Sequence, residues 1–412
     1  MNKMYLVAIL LSLSCCRQKA KKIQPVSGFQ YETISDNPDM RTIQADKIND
    51  SILLSSLISG FDFIKLDTRN DKTLFGEITD LKVTDQQYVV FDKLSSSVLA
   101  YDKAGRYLFS ISAGEKDSLN ISSIDGIDTY DSTLYVYNGK AKEILCFDMS
   151  GHFLAKRSLD HIFQDFSVIN NKEDLLLNTN KLINYVNEEG MILHDCTNLY
   201  LVESRGKDNA KLNFTKRYFP FDERVYPNGS MRVYINHPFS HFAHTTYYTI
   251  PLGDTIYSIF NNGKLLPAYH IDFREKKSSF VFGEHNGQEV VEYLKKNPEG
   301  AYMVSNFFET ANWVHFSYMY NSQQYTGLYS KQSQKVISGK IVNDIFGVNF
   351  TFFGSDQNAM IGTIKPFQVK QLAKRVSELR IAPSTGEHLV ALANKLRDID
   401  NEIIVRCKLN SF

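Results

Sequence analysis

The chain has 412 residues, 43% hydrophobic and 13% aromatic, enough apolar material for a large buried core and too much for a disordered chain. Lysine plus arginine and aspartate plus glutamate both total 46, so no net field draws the chain to nucleic acid or an anionic surface, and a nucleic-acid role is disfavoured. The length would allow two or three average domains, but closed all-β folds also reach it as one.

The N-terminus reads as a targeting segment. Lys3 gives a basic start, and Met4 to Leu13 is an apolar run too short to span a bilayer. It ends Leu13-Ser14-Cys15-Cys16 and turns basic from Arg17. A small residue before cysteine at this place resembles a bacterial lipobox, which implies lipid attachment at Cys15 (or Cys16). An ordinary cleaved signal is the alternative. On the first reading residues 1–15 are the signal and 16–50 a polar tether, with the folded domain at 51–412. The basic residues after the cysteines lack an acidic export patch, so the expected location is the cell envelope, lipid-anchored and facing the periplasm. Cys146, Cys196 and Cys407 are widely spaced and form neither a disulfide framework nor a metal pattern.

Residues 78–112 contain four short strands in a meander: around Leu81, at Tyr88 to Phe91, at Val98 to Tyr101 and at Tyr107 to Ile111. Polar turns separate them. Gly105 stands where the last hairpin needs a positive φ. The pattern Tyr101-Asp102-Lys103-Ala104-Gly105 is echoed by Phe147-Asp148-Met149-Ser150-Gly151 and again by Val186-Asn187-Glu188-Glu189-Gly190, spacings of 46 and 39 residues. A period of that length is the signature of a propeller blade. Leu134 to Tyr137 and Leu175 to Leu177 take the place of Tyr88 to Phe91. A fourth blade is expected from His237 to Phe273, with its turn at Asn261-Asn262-Gly263. A fifth spans Tyr302 to Val342, where Gln334 stands in the glycine's place. A sixth begins near Ile345 with Val348, Phe350, Phe352 and Phe353.

From Pro366 the apolar period becomes helical (Val369, Leu372, Val376, then Leu389, Leu392 and Leu396), predicting an insertion over 366–396 in which Ser384-Thr385-Gly386-Glu387 acts as a capping box. The chain returns to a strand at Ile403 to Leu409. One strand is then missing from the last blade, and Phe61 to Leu66 supplies it, closing the ring and removing open sheet edges. The expected fold is all-β: a six-bladed β-propeller of four-stranded antiparallel blades, with a small helical insertion near the C-terminus. Together the lipoprotein-like start, the glycine-turn blades, the stretch Pro251-Leu252-Gly253-Asp254-Thr255-Ile256-Tyr257 and the closing strand resemble the six-bladed β-propeller lipoproteins of Gram-negative gut bacteria, with NHL-like repeats. That resemblance implies fold and compartment and little chemistry.

His237, His241 and His244 form the one histidine cluster. On a strand, positions 237 and 241 share a face but lie about 13 Å apart, and 244 points the other way, a poor arrangement for a metal. Asp80, Asp125, Asp128 and Asp165 recur near the starts of the innermost strands. They read as turn and strand-end residues bonding nearby backbone N–H groups, since no calcium-loop pattern accompanies them. No nucleophile-elbow, phosphate-loop or zinc-helix motif is present, so no catalytic, cofactor or metal residue is assigned. The extra length falls in 198–236, 274–300 and 366–396. At least two of these segments are expected to pack together over one rim, with Tyr218, Phe219 and Phe221 as anchors for a partner. The functional expectation is a membrane-anchored, non-enzymatic propeller that binds a protein, peptide or glycan on that rim. The alternative is a metal-dependent hydrolase or lyase working in the axial channel.

Overall fold

The structure is a computed structural model that describes residues 29–114, 119–188, 191–203, 213–260, 262–280, 285–345, 352–379, 381 and 383–410. Cys15, Cys16, Gly190, Asn261, Val348 and Phe350 lie outside the described residues. Six antiparallel four-stranded sheets are arranged around an axis, each with strands A to D from the centre outward. Blade 1 comprises Asp80–Val83, Gln87–Asp92, Ser97–Asp102 and Tyr107–Ser112, the four strands expected from the sequence. Blade 2 comprises Gly126–Tyr130, Thr133–Asn138, Glu143–Asp148 and Phe153–Ser158.

The central strands read as continuous apolar runs because both of their faces are covered. In Thr133–Asn138, Leu134 and Val136 enter the core shared with blade 1, whereas Tyr135 and Tyr137 enter the core shared with blade 3. This is the period of two of a strand, used on both sides. Every neighbouring pair of blades shares such a cluster, and the ring is held by these interfaces.

Closure occurs where it was expected. Ile58–Ile64 is the D strand of blade 6 and pairs antiparallel with Ile403–Leu409, setting Phe63 opposite Val405 and Phe61 opposite Cys407. Phe352–Ser355 and Met360–Ile364 complete that blade. The helices Pro366–Lys374 and Pro383–Ala393 leave it between its B and C strands and bury Val369, Leu372, Leu389 and Leu392 in the core between blades 5 and 6. The second helix begins at Pro383, so Ser384 lies in its first turn rather than capping it.

Three sequence expectations are corrected. First, the Val186 to Leu193 repeat is not a blade edge. Asn184–Glu188 and Met191–Asp195 pair only with each other, as a hairpin inserted between strands B (Leu175–Asn178) and C (Thr197–Glu203) of blade 3. A tight-turn glycine between two strands looks the same in an inserted hairpin as at a blade's edge. Second, residues 198–220 are not an insertion, because Thr197–Glu203 and Asn213–Pro220 form the outer half of blade 3. Third, residues 29–50 are not a free tether. The Glu32 N–H donates to the Arg217 carbonyl of blade 3 at 2.8 Å. Arg41–Gln44 then joins blade 4 and Ile48–Leu53 joins blade 5, each as a fifth, parallel outer strand.

The outer hairpin turns share a left-handed residue: Gly105 at φ 80°, Gly151 at 85°, Gly263 at 71° and, in the glycine's place, Gln334 at 57°. Gly105 is further constrained, since a Cβ there would fall 2.1 Å from the Lys65 carbonyl oxygen, whereas at Gly114, with φ 79°, a Cβ would meet nothing within 4 Å. Gly114→Ala should therefore cost only the backbone strain of about 1–2 kcal/mol, and Gly105→Ala about 2 kcal/mol more. Equal shifts in the urea midpoints of the two variants would refute the close approach.

Candidate functional site

The innermost strands bring ionisable residues from blades 1 to 4 onto the axis. Asp80 and Lys82 come from blade 1, Asp128 from blade 2, Asp165 and Ser167 from blade 3, and His241 from the A strand of blade 4 (Phe239–Phe242), with His237 just before it. Alternate residues of a strand face the same way, so Asp80 and Lys82 both point inward, as do Asp165 and Ser167. Lys82 Nζ lies 3.1 Å from Asp80 and 3.7 Å from Asp128. His237 Nδ1 is 3.3 Å from Asp80, and its ring meets Phe308 of blade 5 and Phe353 of blade 6 at centroid distances of 5.9 and 6.2 Å. His241 Nε2 is 3.2 Å from Asp128 Oδ2 and 3.1 Å from Ser167 Oγ. All six blades thus meet in one axial network.

The network's charges are set by burial and by each other. Burial alone would neutralise Asp80 and Asp128, but Lys82 beside both, His237 beside the first and His241 beside the second hold them below the usual carboxylate range. Burial likewise disfavours the Lys82 ammonium, and the two carboxylates more than restore it. Asp165 is the exception. Burial pushes it up to about 6, the neighbouring Asp80 charge adds to that, and its bond from Asn178 only partly offsets them.

This arrangement corrects the picture of a histidine cluster. His237 and His241 serve different carboxylates, and His244 is exposed in the turn before Thr245–Thr249. Among the described residues no group of three or more His, Cys, Asp or Glu side chains is placed to hold a metal ion. Lys82 occupies the position between Asp80 and Asp128 that a cation would take. Nor do Ser167, His241 and Asp128 form a nucleophilic triad. There the acid and the serine use opposite ring nitrogens, whereas here both use Nε2, and Nδ1 faces Thr246 Oγ1 at 3.1 Å. Asp125 does act as a turn residue, accepting from Ser123 Oγ and the Gly139 N–H. Lys82 was missed by sequence reasoning; its signal was the alternation with Asp80 on an inner strand.

The rim near this network carries the inserted segments. Successive strands run in opposite directions, so the B–C loops and the connections between blades emerge at one end of the ring, the end at which Asp80 and Asp165 begin their strands. There the hairpin after Leu175–Asn178, the connection 221–238 and the connection 273–301 come together. Arg232 Nε donates to the Lys181 carbonyl at 3.1 Å and Asn228 Nδ2 to the Tyr185 hydroxyl at 3.2 Å. The Gly287 N–H donates to the Met231 carbonyl at 3.1 Å and the Tyr226 hydroxyl to the His285 carbonyl at 2.6 Å. An Asn286 capping box starts the helix Gly287–Lys296 at this junction. Two of the three expected insertions therefore do pack together, while the third, 366–396, sits on blade 6.

The expected anchors are placed otherwise. Tyr218 is 4% exposed in the core between blades 3 and 4, its hydroxyl donating to the Gly263 carbonyl. Phe219 packs at its edge against Tyr248 and Tyr257. A side chain filling an interblade core has no surface to offer a partner, so Tyr218 is withdrawn as an anchor, whereas Phe219 is only partly buried against that core. Phe221 is half-buried against Tyr226. The large hydrophobic side chains the rim holds furthest out in water are instead Tyr185, Ile192, Met231 and Tyr234, which are 57%, 68%, 56% and 54% exposed.

Because Asp165 binds its proton more tightly folded than unfolded, the stability it contributes is present near pH 4 and is lost as the pH rises through about 6. Asp165→Asn removes that loss. The variant should match the wild type near pH 4 and exceed it above pH 7 by about 2–3 kcal/mol in urea unfolding. A pH-independent difference would show that Asp165 ionises normally.

The fold is similar to that of solved structures from two Bacteroides species. One is a Bacteroides fragilis protein named as exported, at 14% identity and a TM-score of 0.64, covering 90% of this chain and 99% of that one. The other is a member of the DUF4221 family from Bacteroides vulgatus, at 8% identity and a TM-score of 0.51, covering 86% and 98%. A search of curated proteins finds no match. DUF4934, a domain of unknown function, matches residues 40–408, a span that opens beside the added strands of blades 4 and 5 and ends in the closing strand of blade 6, and the chain belongs to that family.

Proposed function

We propose that the chain is an envelope-anchored, non-enzymatic propeller that binds a protein, peptide or glycan partner on the rim over blades 3 and 4. The supporting observation is the locked rim itself. The inserted hairpin, the connection 221–238 and the helix Gly287–Lys296 are cross-bonded into one surface, yet they leave Tyr185, Ile192, Met231, Tyr234 and Val291 exposed to water. Apolar surface held out by a rigid frame is what a binding face needs, because covering it gains free energy at little ordering cost. The axial network works against the enzymatic alternative, its acids and bases being engaged with one another.

Anchoring rests on the Leu-Ser-Cys ending of the leader and on the likeness to an exported protein. The Glu32 contact lies on the outer strand of blade 3, and residues 16–28 can reach at most ~45 Å, which would keep the ring close to the periplasmic face of its membrane. Labelling with a palmitate analogue should disappear in the Cys15→Ser, Cys16→Ser double variant; undiminished labelling would sink the anchor. For the rim, Tyr185→Ala, Ile192→Ala and Tyr234→Ala together should lower cross-linked partner capture from solubilised envelopes at least tenfold at unchanged melting temperature. Phe153→Ala with Leu154→Ala, on the exposed outer strand of blade 2, should leave capture intact. Equal effects from both sets of changes would refute a rim-specific site.

A further inference from the structure

Beside the same rim, between the B–C turn of blade 4 and the first strand of blade 5, lies a cavity of about 330 Å³. That is within the size range of ligand pockets, roughly 300–1,000 Å³. Leu252, Phe273, Phe280, Tyr302, Met303 and Val304 give its wall an apolar part, beside the polar Asp254, Lys277, Ser278 and Ser279. Phe280 is itself braced from outside, stacked on Tyr293 and His285 at centroid distances of 4.2 and 4.4 Å. Two residues of the wall are held in the left-handed region, Leu252 at φ 66° and Met303 at φ 58°. Neither is a residue that adopts this conformation readily, and such strain concentrates where a chain clamps a ligand.

The polar groups of the cavity are spent on each other. Lys277 Nζ lies 2.5 Å from Asp254 Oδ2, with the Thr255 hydroxyl and His270 on the other carboxylate oxygen. Ser279 Oγ bonds the Tyr293 hydroxyl, and Ser278 Oγ accepts from the Phe280 N–H. A charged ligand would therefore have to break an ion pair to find a counterion, whereas Leu252, Phe280, Tyr302 and Met303 are only partly buried and keep surface to be covered. At the mouth, one carboxylate and one ammonium side by side present both signs to an uncharged dipole. A peptide unit has that form, with an N–H to donate to Asp254 and a C=O to accept from the unused N–H groups of Lys277. The pairing of blade 5's A and B strands (Tyr302–Glu309 and Trp313–Tyr320) also skips Met303 and Val304, so backbone at this wall departs from the regular ladder.

Building on the rim-binding reading, we infer that this cavity receives a bulky apolar side chain, aromatic or branched, from an extended peptide segment of a protein partner. The main chain of that segment would lie across the Asp254–Lys277 pair.

The probes are N-acetyl-phenylalanine amide, N-acetyl-leucine amide, N-acetyl-alanine amide and N-acetylglucosamine, titrated into the full folded domain and followed by ligand-observed NMR. The phenylalanine and leucine amides should bind at least tenfold more tightly than the alanine amide, and Ser279→Trp, an exposed position at the lip, should weaken them at least tenfold. Binding of N-acetylglucosamine in preference to the amides would overturn the peptide assignment, as would amide binding unaffected by Ser279→Trp or no binding at all. The two readings fail separately. Partner capture lost in the Tyr185, Ile192, Tyr234 variant but untouched by Ser279→Trp would overturn the cavity inference and leave the rim standing. Specific amide binding alongside capture indifferent to the rim variant would support the cavity and overturn the rim.

Discussion

Everything in this structure depends on one β-ladder between the two ends of the folded domain, Ile58–Ile64 against Ile403–Leu409. A propeller whose last blade lacked its outer strand would expose a sheet edge and half of a blade core, both of which invite association with other chains. Closure makes the ring continuous, so each blade is packed on both faces. That is why the central strands tolerate unbroken apolar sequences such as Tyr88 to Phe91. The segment preceding the closing strand strengthens the same device by adding parallel outer strands to blades 4 and 5.

The axis is the second constraint. Six A strands cannot all be apolar where they meet near water, and the chain resolves this with charges that neutralise one another across blades. Asp128 of blade 2 is 1% exposed, yet it is served by Lys82 from blade 1, Ser167 and the Val168 N–H from blade 3, and His241 from blade 4. A buried carboxylate left unpaired would cost several kcal/mol. The network therefore specifies how blades 1 to 4 are set relative to one another, and it leaves these acids and bases engaged rather than free for chemistry. The inserted segments and the apolar side chains they leave exposed lie away from this network, on the rim over blades 3 and 4.

The fold was legible because it rests on local, repeated signals. Alternation of apolar residues, the left-handed turn residue and the blade period are all written in short stretches. Gln334 shows how robust the phase is, since it takes the left-handed conformation at the place where the other blades have glycine. The same locality explains the error at Gly190. An inserted hairpin and a blade edge are identical over ten residues, and only the pairing of Thr197–Glu203 with Leu175–Asn178 tells them apart.

The candidate site was less legible, for a different reason. Sequence alone determined six blades, the closing strand, the helical insertion and the approximate places of extra length, because each follows from periodicity along the chain. It singled out Asp80, Asp128, Asp165, His237 and His241, but not that they converge. Their sequence separations reach beyond a hundred residues, and the ring's curvature is what brings them together. It also suggested Tyr218 and Phe219 as anchors, although an aromatic on an outer strand reads the same whether a neighbouring blade covers it or not. Only the tertiary structure decided that blade 4 buries Tyr218 and partly covers Phe219, that Tyr185, Ile192, Met231 and Tyr234 stay in water, and that Leu252 and Met303 line one cavity. Burial is a property of what lies opposite, and what lies opposite is set by closure of the ring.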